Sequence, residues 1–243
     1  MKIRTLIAGY VLALALFLFA QRHPGSSSPT GFRAVVDLTH SFDAGALAHQ
    51  PAGKSVLSFE QLGTRIDAPA GFARGLWTVE QIPVERLLAP LVVLDVSASI
   101  RNHPDYQISV EDIAKWEKVH SQIPLGSIVM ARTGWDSRWH SLNDYRNVDS
   151  RGVMHFPGYS ADAAKFLVEG RNALGLGIDT LGIDYGLSRD FPVRQYTLAH
   201  SVYQLENVAN LDRAPASGGM VVVAPPKLDG GSTAPVRILA LVR

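Results

Sequence analysis

Few side chains in this sequence are placed to do chemistry, and none completes a familiar catalytic signature. His200 stands beside Ser201, but sequence neighbours rarely face one another, and no G-x-S-x-G turn is present to expose a serine. His155 precedes Phe156-Pro157-Gly158 and reads as a loop residue beside a site. Gly175-Leu176-Gly177 follows an apolar run but lacks the third glycine of a dinucleotide fingerprint. H-E-x-x-H and phosphate-cradling glycine loops are missing too. The chain has no cysteine, which removes disulfides, thiolate metal ligands and a cysteine nucleophile together. The stretch with more to offer is Gln61-Leu62-Gly63-Thr64-Arg65-Ile66-Asp67-Ala68-Pro69-Ala70-Gly71-Phe72. In an extended segment Arg65 and Asp67 fall on the same side, a guanidinium beside a carboxylate.

The elements that must position these residues alternate between strand and helix. Short runs rich in β-branched and aliphatic residues read as buried strands at Val35 to Leu38, Leu91 to Val96, Ser127 to Ala131, Leu174 to Ile178, Met220 to Val223 and Val236 to Val242. Ser109 caps a helix running to about His120, with Glu111 and Asp112 in its first turn. Ser160 caps another through Ala163, Phe166 and Leu167, stopped by Gly170. The pattern gives an α/β class with a mixed sheet. Pro/Gly joints at Ala224-Pro225-Pro226 and Asp229-Gly230-Gly231 predict antiparallel pairing among the last strands.

The stretch from Gln61 to Phe72 resembles the H-x-G-T-H-x-D-x-P-x-H signature of the cyclase family, which includes bacterial kynurenine formamidases and isatin hydrolases. Further blocks follow in the family's order: Thr78 to Pro83, Leu91 to Val96, Arg132-Thr133-Gly134-Trp135, His155 to Gly158, Gly177-Ile178-Asp179-Thr180 and Leu205 to Leu211. The resemblance covers the chain from Val35 to Val242. It implies a swivelling β/β/α fold and hydrolysis of an amide, formamide or lactam C–N bond by water activated on zinc or manganese. It also implies that two histidines and the aspartate of the signature, with a later histidine and glutamate, hold that metal. Neutral imidazoles and carboxylates would then leave one position open for water.

The residues depart from that pattern where the metal would sit. Gln61 and Arg65 replace the signature's first two histidines, Gly71 replaces its last, and Arg194 stands where the later histidine is expected. Asp67 and Glu206 remain as the surviving candidate ligands and candidate catalytic carboxylates. Arginine stays protonated and offers no lone pair, and a glutamine amide is a poor zinc ligand beside imidazole. At about 5 Å and an effective dielectric near 20, each guanidinium repels a unit positive charge by about 3 kcal/mol, doubled for a divalent ion. No metal cofactor is therefore expected. Arg65 and Arg194 are instead expected to pair with Asp67 and Glu206 in the cation's place, since buried carboxylates need partners. Two functions follow: a divergent, arylformamidase-like hydrolase working without metal, with Asp67 or Glu206 as general base, or a pseudoenzyme binding small anionic aromatic compounds. His40, after Asp37-Leu38-Thr39, is expected to line the pocket. Trp77, Trp116, Trp135 and Trp139 are expected in the core.

The rest of the chain sets bounds. Lys2 and Arg4 precede an apolar run from Leu6 to Ala20, the form of a secretory signal or, uncleaved, an N-terminal anchor. Residues 1–20 are thus expected to direct export, periplasmic or secreted. Residues 21–33 read as a Gly/Ser/Pro linker and 34–243 as one domain. The 23 Lys and Arg nearly balance the 22 Asp and Glu, so no basic surface suggests nucleic acid. The expected partner is a small molecule, and the resemblance implies a homo-oligomer.

Overall fold

Every one of the six apolar runs becomes a strand, the central ones buried on both faces and the flanking ones on one. The computed structural model describes residues 31–41, 63–101 and 103–243. The strands are β1 (Ala34–Asp37), β2 (Arg65–Asp67), β3 (Leu88–Asp95), β4 (Gln107–Ile108), β5 (Ile128–Arg132), β6 (Gly158–Tyr159), β7 (Gly175–Ile178), β8 (Tyr203–Glu206), β9 (Gly219–Ala224), β10 (Thr233–Pro235) and β11 (Arg237–Val242). Nine of them form one sheet in the order β1-β11-β9-β3-β5-β7-β8-β2-β10. The centre, β3-β5-β7-β8, is parallel. Both flanks are antiparallel, including the late pair β9–β11 that the Pro/Gly joints predict. This is the expected mixed α/β architecture.

The strand period of two sorts the core onto the sheet's two faces. Val92, Leu94, Val129, Ala131, Leu176 and Ile178 pack on one side against Ile113, Trp116, Ala163 and Leu167. Leu91, Val93, Ile128, Met130 and Leu205 pack on the other against Ile66, Val221 and Ile238. The helices covering the first face are α1 (Val110–His120), α2 (Leu142–Arg146), α3 (Ala161–Lys165, widening into a π turn over Phe166–Gly170) and α4 (Pro192–Ala199). Ser109 caps α1 in a reciprocal box with Asp112, and the Ser160 hydroxyl accepts from Ala163 N–H at the start of α3. Gly175 and Gly177 serve packing: a Cβ would come within 2.5 Å of the Tyr203 ring at one and 2.8 Å of Met130 at the other. The glycine pair thus lets β7 lie against these side chains.

Candidate active site

The site begins with β2, three residues wedged between β8 and β10. Antiparallel register sets Arg65 directly opposite Glu206, and Asp67 opposite both Gln204 and Thr233. All three charged residues are buried: Arg65 is 6 %, Asp67 2 % and Glu206 2 % exposed. The Arg65 guanidinium pairs with Glu206 through Nη2, donates from the same nitrogen to the Leu181 carbonyl at 3.0 Å, and brings Nε to 3.8 Å from Asp67. The second Glu206 oxygen accepts from the Ile183 N–H at 3.0 Å. The loop after β7 therefore supplies backbone groups to both members of the pair.

Arg194 enters from α4. Asp184 holds the helix start: its two carboxylate oxygens accept from the Val193 and Arg194 N–H groups at 2.9 Å each. Negative charge at a helix N-terminus is favourable. From there the Arg194 side chain reaches back and its Nη1 pairs with Asp67. Gly71 lies beside it: a Cβ at that position would sit 3.5 Å from Arg194 Nη2, in ordinary contact, and a longer side chain would crowd the guanidinium. Gln204 braces the arrangement by donating from Nε2 to Thr197 Oγ1 at 2.5 Å and to the Arg194 carbonyl at 3.3 Å.

Electrostatics follow from this geometry. Burial pushes the Asp67 pKa up, but the charges of Arg65 and Arg194, helped by hydrogen bonds from Thr233 and Arg194, outweigh it. The Asp67 carboxyl is held below the usual carboxylate range. Above the pairs lies a cleft of about 350 Å³ walled by Met154, Phe156, Leu181, Ile183 and Phe191, with Arg65, Asp184, Arg194 and Glu206 at its polar end. That volume suits a one- or two-ring compound.

The expected site residues thus meet in one place, except Gln61, which lies outside the described residues, as do residues 1–30. His155 is beside the cleft: its Nδ1 meets Asp105 at 2.8 Å and its Nε2 lies 3.7 Å from Asp149. It fixes the loop carrying Met154 and Phe156. His40 stacks on Trp139 at 4.0 Å, burial pushes its pKa down to about 4, and it lines a separate cleft with Asp37 and Arg237. His200 is exposed and bonds its own helix at the Tyr196 carbonyl, so no Ser–His pair forms. Trp116 and Trp135 are core, whereas Trp77 and Trp139 are partly buried at its edge. Sequence reasoning missed Asp184, the Leu181 carbonyl and the Ile183 amide; Pro192, pre-set for a first helical turn, was the one local sign that a helix begins here.

The donor set does not fit a divalent metal. Each carboxylate of the β2–β8 pair is bound by a guanidinium, and both Asp184 oxygens are taken by backbone amides. Among the described residues no three His, Asp or Glu side chains converge as a metal site.

The family model described as a putative cyclase matches residues 36–185. The chain belongs to the cyclase family. It is 33 % identical over 191 residues to the isatin hydrolase of Roseibium aggregatum, covering 75 % of this chain and 72 % of that protein. Among solved structures, isatin hydrolase A from Labrenzia aggregata bound to benzyl benzoate aligns with a TM-score of 0.75 at 30 % identity, over 86 % of this chain and 93 % of that one. An isatin hydrolase bound to the product analogue thioisatinate aligns with a TM-score of 0.74 at 28 % identity, over 86 % and 92 %. The ancestry of this cyclase-family chain is therefore hydrolytic and isatin hydrolase-like.

Proposed function

We propose that this cyclase-family chain has exchanged its metal for two arginines and uses the inherited cleft to bind a small aromatic compound. The observation that carries the reading is the double ion pair, Arg65 with Glu206 and Arg194 with Asp67, buried at the polar end of an apolar cleft. A catalytic metal needs lone pairs and an open position; here the acceptors are spent on guanidiniums. The aromatic and aliphatic walls remain, and the relatives solved with benzyl benzoate and with thioisatinate make an aromatic occupant the natural starting point. A metal-free hydrolysis would need Asp67 or Glu206 as general base, and Asp67 is shifted away from neutrality, which weakens it in that role. We also propose export, on the basic start and apolar run of residues 1–20.

The test is metal retention. Purified protein incubated with zinc and manganese, then desalted, should carry well under one metal per chain by mass spectrometry. It should also leave isatin and N-formylkynurenine unhydrolysed. Near-stoichiometric metal with turnover would restore the ordinary hydrolase and refute the exchange.

A further inference from the structure

The hairpin that carries Met154 holds an imidazole between two carboxylates. At its base the Asn147 carbonyl accepts from the His155 N–H at 3.1 Å, and Asn147 Nδ2 donates to the His155 carbonyl at 2.8 Å. Asp149 closes its tip, accepting through Oδ1 from the Arg151 and Val153 N–H groups at 2.8 and 2.9 Å. Met154 and Phe156, on either side of His155, line the cleft. Their backbone lies against Gly186, where a Cβ would come 2.5 Å from the Met154 carbonyl oxygen. The His155 ring has Nδ1 2.8 Å from Asp105, on the segment before β4, and Nε2 3.7 Å from Asp149.

Resting on the binding reading above for what the cleft does, we infer that His155 is a positioning residue that acts as a pH-sensitive clamp. Its imidazolium form ties the cleft wall at Met154 and Phe156 to Asp105 and Asp149, and its neutral form releases it. An imidazolium donates from both nitrogens and serves both carboxylates. A neutral ring carries one N–H, so either tautomer turns a lone pair on one of them. The other charged and titratable groups nearby do not relieve this. Arg151 pairs with Asp149 at 3.0 Å, but its side chain lies mostly in water, where such a pair is weak. Asp184, in the loop packed against the hairpin, spends both oxygens on α4 amides. His103, on the Asp105 segment, is exposed. The hydrogen bond to Asp105 leads in raising the His155 pKa above its ordinary value; partial burial opposes it, and the Asp105 and Asp149 charges add to it. The clamp is therefore fully present below the unfolded value near 6.5 and is lost as pH rises through the folded one.

The experiment is an NMR titration of the full chain, without ligand, from about pH 5.5 to about pH 9, spanning the imidazole range. It reads the histidine ring nitrogens and 13C-labelled methionine methyls. The Met154 methyl should move with the same midpoint as His155, while that of Met130, buried in the sheet, stays still. The Gly186 N–H donates to the Phe156 carbonyl at 2.8 Å; its hydrogen-exchange protection, corrected for intrinsic exchange, should fall several-fold across that midpoint. His155→Gln should abolish the Met154 titration, and Asp149→Asn should lower both midpoints together, each in protein with an intact melting transition. A His155 that titrates while Met154 and Gly186 stay unchanged would overturn the clamp, as would a His155 midpoint at or below about 6.5. No ligand enters the titration, so either failure leaves the binding reading standing, and that reading is decided by metal retention.

Discussion

Replacing Arg65 by alanine tests the charge exchange most directly. The change leaves Glu206, 2 % exposed, with the Ile183 N–H as its remaining strong partner, and removes one of two cations beside Asp67. Stranding a buried charge in this way costs about 3–5 kcal/mol, a large part of the roughly 5–15 kcal/mol that holds a domain folded. With a urea slope of about 3 kcal/mol/M, the unfolding midpoint should fall by about 1–1.7 M. Arg194→Ala should cost less, about 1–2 kcal/mol, because its side chain is 33 % exposed, water can replace it, and Arg65 stays beside Asp67. Arg237→Ala is the control: its pair with Asp37 is exposed and worth at most about 1 kcal/mol. The double change Arg65→Met with Glu206→Leu should recover most of the loss, since a well-packed apolar pair often matches a buried ionic one. If Arg65→Ala falls within about 0.5 kcal/mol of the wild type, as surface substitutions do, the buried pair does not hold the site together.

Acid should expose the same arrangement. Because the folded Asp67 pKa is depressed, its contribution is fully present above the unfolded value near 3.9 and is lost as pH falls through the folded pKa. Asp67→Asn should therefore flatten the acid limb of a stability–pH curve measured between about pH 5 and 2, and an unchanged limb would show that other carboxylates govern it. At Gly71, alanine should be tolerated, because the nearest atoms to a Cβ are at 3.5 and 3.8 Å, ordinary contact distances. Histidine there should displace the Arg194 guanidinium and cost about 1–3 kcal/mol by overpacking; urea unfolding of the two variants side by side separates these outcomes.

Much of the fold could be read from local pattern. The runs at Leu91 to Val96 and Met220 to Val223 announce strands because β-branched residues suit a pleated, at least half-buried backbone. The Ser109 and Ser160 caps announce helices because a side-chain oxygen there satisfies an otherwise orphaned N–H. Within the site, Arg65 and Asp67 are legible as a pair from strand alternation, but their partner Glu206 becomes legible through the family pattern rather than through spacing. The start of α4 was hidden. Its capping carboxylate, Asp184, is ten residues away from Arg194 in sequence, and Phe191 enters the helix at φ 47°, a conformation that a bulky residue seldom adopts and that sequence pattern does not announce. β10 was hidden as well: Thr233–Pro235 is short, contains proline and lies at the sheet's edge, where a missing N–H is tolerated.

The fit between Gly71 and Arg194 limits which single substitutions the site accepts. A histidine at 71, as the family signature carries, and the Arg194 side chain in its present place compete for one volume. The present combination is therefore difficult to leave by a single substitution. Histidine at 65 or 194 removes one partner of an ion pair, and histidine at 71 crowds the Arg194 guanidinium, so each of these single changes passes through a less stable protein. The arrangement behaves as a latch, set by packing at one glycine.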